Sequence, residues 1–246
     1  MRYLGILFLF ITTLLGFEAI NGKPVLLPID QETQSVQVRS HKAPIIQAKN
    51  GEKFALIAIP YRQSEPLEAT IQISNKDFKT SIHVKDGQYP KEFLSVDPAK
   101  VSPPKSAKER IAKEYKEAME IYATFSPKRH WKKPFIYPIN SAITSAYGNA
   151  RTFNGILKSY HTGVDFRAPI GTPIYAANDG VVVLSKDRYY AGGSVIIDHG
   201  EGIYSVYYHL SSTPLAAGTK VKQGDEIGLS GNSGRVTGPH LHFGIM

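Results

Sequence analysis

The chain has 246 residues, enough for one large domain or two smaller ones, and its hydrophobic and charged fractions of 42% and 20% are ordinary for a globular protein. It has no cysteine, which excludes disulfides, thiolate metal sites and cysteine nucleophiles, so a metal ion must be bound by His, Asp or Glu. The formal net charge is +8, with the excess of Lys and Arg concentrated between Lys100 and Lys133. This basic segment indicates either attraction to an anionic polymer or lipid surface, or a solvated helix face. Nucleic acid is disfavoured as a partner because motifs that interleave aromatic and basic residues are lacking.

The N-terminus carries an apolar segment of the kind that directs export. Arg2 precedes a run from Leu4 to Phe17 that only glycine and threonine interrupt. The run is shorter than the ~20 residues that span a bilayer, and it fits the hydrophobic part of a secretory signal. We therefore predict a signal peptide in residues 1–20, with an uncleaved anchor or a buried helix as alternatives. A signal or an anchor would place the rest of the chain in the periplasm or cell envelope, and an anchor would also associate it with the membrane.

Residues 22–98 are predicted to form an N-terminal β accessory domain. Asn50-Gly51 and Asp86-Gly87 are typical of turns between strands. The β-branched segments predict a small β-sandwich-like fold, with strands at 35–39, 54–59, 70–73 and 81–84. This region offers no catalytic combination of residues.

Residues 99–130 are predicted to be a linker with one helix. Ser106 and Glu109 have the spacing of a capping box, which predicts a helix from there to about Phe125. Apolar residues recur at helical spacing and predict a packing face, formed by Ile111, Tyr115, Met119 and Tyr122.

Residues 131–246 are predicted to form a second β domain without a helix. Short strands follow one another closely and are separated by glycine, with candidates at 180–184, 194–197, 204–208 and 226–229. Such a pattern favours a twisted antiparallel sheet, so the fold class of the whole chain is mainly β.

Three short segments of this domain carry the residues suited to chemistry. His240 and His242 are two residues apart, so in a strand both imidazoles face the same side. His161 and Asp165 add an imidazole and a carboxylate, and His209 adds another imidazole. A catalytic zinc site needs three protein ligands and one open position, and further histidines beside it can move protons. The set predicts metal-assisted hydrolysis, although spacing alone does not separate ligands from catalytic residues.

From about Trp131 to Met246 the chain closely resembles the lysostaphin/LytM-type zinc metallopeptidases. The N-terminal region resembles the accessory region of Gram-negative members, though less specifically. The resemblance rests on several ordered motifs, which are Ser145-Ala146-Tyr147-Gly148, His161-Thr162-Gly163-Val164-Asp165, Gly171-Thr172-Pro173-Ile174, Asp198-His199-Gly200, Tyr207-Tyr208-His209-Leu210 and Thr237-Gly238-Pro239-His240-Leu241-His242-Phe243.

The resemblance implies a role for each residue of the site. It implies that Zn²⁺ is bound by His161, Asp165 and His242, and that His209 and His240 are the catalytic histidines. It also implies a groove walled by loops and a peptidoglycan substrate. The bond cut would lie in stem peptides or cross-links, so D,D-endopeptidase and D,D-carboxypeptidase activity both stay open, as does the proposed role in cell-wall remodelling and cell shape. Arg151 and Asn154 precede the metal motif and are weaker candidates for substrate contacts, whereas His199 is expected to be structural.

Two alternatives to an enzyme remain at this stage. Proteins with this fold also act as non-catalytic activators of other wall hydrolases, but these typically lose ligands or catalytic histidines that this chain keeps. A biotinyl- or lipoyl-like carrier domain would need a modified lysine at a hairpin tip, and the sequence shows no such motif. The chain ends at Met246, only four residues after His242. We expect either that the final strand is frayed at its end or that the sequence is a fragment of a longer domain.

Overall fold

The computed structural model describes residues 16–246, and within them it has twenty β-strands and one α-helix, which confirms the mainly β fold class. The chain divides into two compact units, one up to Gln88 and the other from Tyr89 to Met246. The predicted accessory domain therefore ends earlier than residue 98. Residues 89–98 belong to the C-terminal unit because the strand at Lys91–Leu94 pairs with residues 150–153.

The N-terminal unit has eight strands, β1 (Phe17–Ile20), β2 (Val25–Ile29), β3 (Thr33–Val38), β4 (His41–Lys42), β5 (Ile45–Gln47), β6 (Lys53–Ile57), β7 (Leu67–Ile73) and β8 (Lys76–Lys85). They form two mainly antiparallel sheets, one of five strands in the order β1-β8-β7-β3-β4 and one of three in the order β2-β6-β5.

Both sheets of the N-terminal unit contribute to one hydrophobic core. Alternate residues of the strands are buried, as in Leu67, Ala69 and Ile71 of β7, while Leu27 of β2 enters the core from the other sheet. This is the arrangement expected of a β-sandwich. Most of the predicted export segment, residues 1–15, lies outside the described residues. Its last part differs from the expectation, because Phe17–Ile20 form β1 and pair with β8.

The C-terminal unit is built on a nine-stranded sheet. The strands of this unit are β9 (Lys91–Leu94), β10 (Ile143–Ser145), β11 (Ala150–Phe153), β12 (Leu157–Tyr160), β13 (Val164–Arg167), β14 (Pro173–Tyr175), β15 (Gly180–Arg188), β16 (Gly192–Asp198), β17 (Tyr204–Ser212), β18 (Lys220–Val221), β19 (Glu226–Ser230) and β20 (His240–Ile245). Seven strands of the large sheet lie in the order β10-β13-β20-β17-β16-β15-β18, and β19 pairs with β17 and with β14. Strands β12, β11 and β9 form a separate three-stranded sheet.

The centre of the large sheet is buried on both faces. Along β16, Val195 and Ile197 join the main core, whereas Ile196 between them packs on the opposite face. Strand residues alternate between faces, so a strand covered on both sides must be apolar throughout. The opposite face is covered by the helix α1 (Lys105–Tyr122), through residues that include Ile121 and Tyr122.

The helix differs from its prediction at both ends and in its packing face. It begins at Lys105, with Pro104 as its N-cap, so Ser106 lies inside the first turn and makes no capping hydrogen bond, and it ends at Tyr122 rather than Phe125. Tyr115 and Met119 are exposed. Ala118 is buried instead, because the face turned to the sheet is shifted by about one residue from the predicted stripe.

The final strand β20 is paired along its length. It lies between β13 and β17, and Met246 exchanges backbone hydrogen bonds with Tyr204 on β17. The predicted fraying of this strand is therefore not seen. Within residues 16–246, no helix combines the length and apolar character that crossing a bilayer requires.

Candidate metal centre and active site

His161, Asp165 and His242 converge on one point in the C-terminal unit. His161 Nε2 lies 2.8 Å from Asp165 Oδ1 and 2.9 Å from His242 Nδ1, and the last two atoms are 3.0 Å apart. The sheet register creates this proximity, because β13 and β20 pair with Asp165 directly opposite His242. All three side chains are buried. This trio is the group of His and acidic residues among the described part of the chain whose donor atoms can share one metal ion.

The donor set fits zinc. Zinc bonds to His nitrogen and carboxylate oxygen are about 2.0–2.2 Å long, so three donor atoms about 3 Å apart can reach one ion. His161 Nδ1 donates a hydrogen bond to the Ala146 carbonyl oxygen at 2.8 Å, which leaves Nε2 unprotonated and turned towards the other two donors. Such an outer hydrogen bond, which fixes the tautomer of a ligand histidine, is typical of metal sites.

Asp165 is held ionised in spite of its burial. Burial alone favours the neutral acid and raises the pKa of the carboxyl group, but the contacts with His161 and His242 outweigh it and hold the pKa well below 3.8. Burial also lowers the pKa of His242, although the hydrogen bond that His242 makes to Asp165 opposes this shift, so the imidazole is neutral at pH 7. Asp165 and His242 are thus in the protonation states that metal binding requires.

His209 and His240 lie beside this cluster. Their ring centroids are 4.7 Å apart, and the His209 ring centroid is 6.1 Å from that of His242. Each ring donates from Nδ1 to a backbone carbonyl oxygen at 2.8 Å, of Ser233 for His209 and of Gly238 for His240. The nitrogen left for chemistry is therefore Nε2 in both residues. Burial lowers the pKa of His209 well below 6.5, so its imidazole is neutral at pH 7.

His209 is placed by an unusual backbone conformation. Its φ of 66° lies in the left-handed region, which non-glycine residues rarely adopt. At this point β17 stops pairing with β20, whose last partner is Tyr208, and begins to pair with β19 at Leu210. Successive strand residues normally face opposite sides, yet the rings of Tyr208 and His209 both approach His242. Strained residues of this kind cluster at functional sites.

The ring of Tyr208 packs against the imidazole of His242. Its ring is stacked on the imidazole with an interplanar angle of 4° and centroids 5.4 Å apart. The Tyr208 hydroxyl lies 3.0 Å from the hydroxyl of Tyr122 at the end of α1. The helix thereby contributes to the site indirectly, because Tyr122 contacts Tyr208 and Tyr208 packs on His242. No pattern in the sequence predicted this link.

A cavity of about 280 Å³ opens beside the cluster. His209, His240 and Asp165 line it, together with Arg151 and Arg235. A further wall comes from the segment 92–96, since Glu92, Leu94 and Val96 also line it. This segment was assigned to the accessory domain from the sequence, so its part in the site was missed, and no motif marks it.

Of the two weaker candidates for substrate contacts that the sequence suggested, one lines the cavity and the other does not. Arg151 lines the cavity, and its guanidinium donates to Asp165 Oδ2 at 2.7 Å and to Glu92 Oε2 at 2.9 Å. Asn154 is instead a structural residue, because its side chain makes two hydrogen bonds of 2.9 Å with the backbone of Val96 and does not line the cavity.

His199 lies apart from the cavity in a network of its own. Its Nδ1 donates to the Asp179 carbonyl oxygen at 2.8 Å, and its Nε2 lies 2.7 Å from Ser205 Oγ. The Ser205 hydroxyl is in turn 2.9 Å from that of Tyr207, which accepts from the Ala177 backbone N–H. These contacts satisfy both nitrogens of the buried ring, as expected for a structural histidine.

Comparison with known proteins bears on the same part of the chain. The profile of peptidase family M23 matches residues 159–246. The peptidoglycan DD-endopeptidase ShyA of Vibrio cholerae is 46% identical over 114 residues, which are 45% of this chain and 26% of ShyA. The DD-carboxypeptidase/endopeptidase Mpg of Neisseria meningitidis is 39% identical over 113 residues, covering 45% of this chain and 25% of Mpg. The chain thus spans about a quarter of the length of these relatives.

A solved structure extends the likeness in fold to both units. A Pseudomonas aeruginosa protein described as an M23 peptidase superposes with a TM-score of 0.73 over 96% of this chain and 92% of its own, at 24% identity. At that identity the match concerns the fold alone. The range matched by the family profile contains the buried trio of His161, Asp165 and His242. Residues 159–246 of this chain, which carry the trio, thus match the profile of peptidase family M23.

Proposed function

We propose that the C-terminal unit is a zinc-dependent hydrolase that cleaves peptide bonds in the stem peptides or cross-links of peptidoglycan. The observation that carries the proposal is the convergence of three buried donor atoms with two further histidines on one cavity. Curated relatives named for DD-endopeptidase and DD-carboxypeptidase activity on this material support the substrate class. They do not separate the two activities for this chain.

His161, Asp165 and His242 would hold the zinc ion. Their side chains are buried. The β13–β20 register positions Asp165 and His242, and the Ala146 carbonyl oxygen positions His161. The bound ion would act as a Lewis acid that polarises a carbonyl group and makes water more acidic. The cavity, which Asp165 lines, would give the substrate access to an ion held by these three residues.

His209 and His240 would move the protons of the reaction. Hydrolysis adds the oxygen of water to the carbonyl carbon, breaks the carbon–nitrogen bond and transfers a proton to the leaving amine. A neutral imidazole with a free Nε2 can accept the proton from water and return it to the nitrogen, which suits His209. His240 Nε2 lies 3.7 Å from Asp165 Oδ1 and faces the same space, where, when it carries a proton, it can donate a hydrogen bond to the oxyanion.

The location of the protein follows from this substrate as part of the proposal. Peptidoglycan lies outside the cytoplasm, which agrees with the export signal predicted in residues 1–20. We therefore propose the periplasm or cell envelope, with membrane association if the N-terminal segment is retained.

The test is digestion of purified peptidoglycan sacculi by the full chain without its first 15 residues, with the fragments identified by mass spectrometry. Loss of cross-linked dimers or shortening of pentapeptide stems is expected, and a zinc chelator should abolish either change. Asp165→Ala serves as the variant without its central ligand. Intact sacculi after incubation with the zinc-loaded protein would reject the enzyme and favour a non-catalytic activator of other wall hydrolases.

A further inference from the structure

Arg235 lines the cavity, and its guanidinium N–H groups have no acceptor among residues 16–246. It lines the same cavity as His209 and His240, five residues before His240 in the chain. Within residues 16–246 its side chain forms no hydrogen bond or ion pair with any acceptor, although the residue is half-buried. A guanidinium has five N–H donors, and leaving them unpaired near a protein interior is costly unless a ligand uses them.

The protein holds this guanidinium in place without using its donors. The Arg235 guanidinium carbon lies 4.3 Å from the ring centroid of Phe153 and 4.8 Å from that of Tyr190. Cation–π contacts of this kind fix the position of the plane and leave the N–H groups at its edge free.

The backbone beside Arg235 is equally constrained. The Arg235 amide donates to the Tyr190 carbonyl oxygen at 2.8 Å. The preceding Gly234 has a φ of 84°, and a Cβ at that position would lie 2.4 Å from the same oxygen. Only glycine permits this close approach of the two segments. The arginine is therefore built into a rigid site, which is what a binding residue needs.

The other arginine of the cavity shows the contrast. Arg151 is neutralised by Glu92 and Asp165, which accept its hydrogen bonds. No carboxylate among residues 16–246 pairs with Arg235, so it leaves a positive charge at the cavity wall. Guanidinium groups pair with carboxylates through two parallel hydrogen bonds, and an uncompensated one beside an active site fits an anionic group of the substrate.

We infer that Arg235 binds a free carboxylate on the residue that leaves as the amine, and thereby selects bonds whose leaving residue carries that group. The inference rests on the proposed function and names its substrate class. Two sources share this chemistry, which are the terminal D-alanine of a stem pentapeptide and the D-centre of diaminopimelate in a cross-link. In a glycine bridge the corresponding carbonyl belongs to the next amide, and no carboxylate is present.

The test compares two pairs of substrates that differ only in this group. One pair is a stem pentapeptide ending in D-alanine with a free carboxylate or a carboxamide. The other is a D-alanine–diaminopimelate cross-linked dimer with the D-centre carboxylate free or amidated. Wild type, Arg235→Gln and Arg235→Lys are compared, with Arg62→Gln, an exposed arginine of the N-terminal unit, as the control of equal charge change. Zinc content and melting temperature establish that each variant is folded.

For at least one pair, wild type and Arg62→Gln should prefer the acid over the amide by about 30-fold in kcat/KM, as expected for a charge-assisted hydrogen-bonded pair. The pair that shows the preference identifies the source of the carboxylate. Arg235→Gln should reduce the preference to within about 3-fold by slowing hydrolysis of the acid alone, and Arg235→Lys should be intermediate because it keeps the charge without the fork. Equal cleavage of acid and amide by wild type would overturn the inference. An equal loss on both substrates in folded Arg235→Gln would do so too, since it would mean a structural role.

Failure of the proposed function gives a different result. If wild type cleaves none of the four substrates, their binding is measured by calorimetry. Tighter binding of an acid than of its amide, lost in Arg235→Gln, would retain the carboxylate site without hydrolysis. Equal binding of acid and amide would reject the site as well.

Discussion

Arg151 Nη2 lies 2.7 Å from Oδ2 of Asp165, while the other oxygen of that carboxylate faces His161 and His242. Arg151 also donates to Glu92 and Ser145, so its guanidinium is anchored at both ends. One oxygen of the Asp165 carboxylate is thus held by an anchored guanidinium, and the other faces the two histidines. The sequence indicates Arg151 as a candidate for substrate contact. Its hydrogen bond to Asp165 also orients that carboxylate.

We expect Arg151→Lys to weaken zinc binding by about 10- to 100-fold, the range typical of outer hydrogen-bond partners of metal ligands. Lysine keeps the positive charge but cannot bind Asp165 and Glu92 through one planar group. The measurement is competition for zinc with a chelator of known affinity. Arg167→Lys is the matched control, since Arg167 lies on β13, the strand of Asp165, and is exposed. Equal zinc affinity in Arg151→Lys and the control would contradict the orienting role.

His209→Asn should separate catalysis from metal binding. Asparagine tolerates the left-handed conformation that His209 adopts, so the backbone can stay as it is. It lacks an imidazole, and we expect kcat to fall by about 10²- to 10⁴-fold, the usual worth of a general acid or base. Zinc content, measured by atomic absorption, should match that of the exposed control His41→Asn. A His209→Asn protein that lost its zinc would instead identify His209 as a ligand.

The central residues of the site were predictable because their geometry is local. His240 and His242 share one face of a strand by simple alternation, and His161 and Asp165 flank the start of another. Pairing of β13 with β20 is then enough to bring them together. The predicted strands of residues 180–184 and 204–208 also occur, within longer elements, for the same reason. Periodicity reports which side of an element is buried, and that information is contained in a few consecutive residues.

The supporting residues were not predictable because their contacts join distant parts of the chain. Glu92 reaches Arg151 only because β9 pairs with β11, and Tyr122 reaches Tyr208 only because α1 packs on the sheet. Neither residue belongs to a local pattern. The misplaced helix face has a similar cause, since Tyr115 fits the apolar spacing but is exposed, and the sheet selects the neighbouring stripe. Tertiary packing decided each of these positions.

Gly163→Ala should disturb the metal centre through space alone. A Cβ at this position would lie 2.2 Å from the Phe243 carbonyl oxygen and 2.8 Å from His242 Nε2. The added methyl group must push β20 away, and we expect the unfolding free energy to fall by about 1–3 kcal/mol, with weaker zinc binding. Gly238→Ala is the matched control, because a Cβ there meets no atom within 4 Å. Denaturant unfolding and zinc competition measure the two effects, and identical results for both variants would show that β20 accommodates the methyl group.

The buried ring of His199 should make stability depend on pH. Burial is the main cause that lowers the pKa of His199 below 6.5, and its hydrogen bond to Asp179 opposes the shift. Below pH 6.5 the unfolded chain therefore binds more protons at this residue than the folded protein does. The contribution of neutral His199 to stability is complete above pH 6.5 and is lost as the pH falls towards its folded pKa.

His199→Gln tests this dependence. At pH 7.5 we expect the variant to be less stable than wild type by about 1–3 kcal/mol, because hydrogen bonds of the buried network are lost. The difference in unfolding free energy should narrow as the pH falls to 5. In wild type alone, the unfolded chain then binds a proton at residue 199 that the folded protein does not, which lowers the stability of wild type. Denaturant unfolding at each pH measures this difference. Zinc content is measured in parallel, because loss of metal at low pH would destabilise both proteins and must be distinguished from protonation of His199. His41→Gln, at an exposed position, should follow wild type throughout. A difference between wild type and His199→Gln that stays constant from pH 7.5 to 5 would mean that His199 does not titrate as its burial requires.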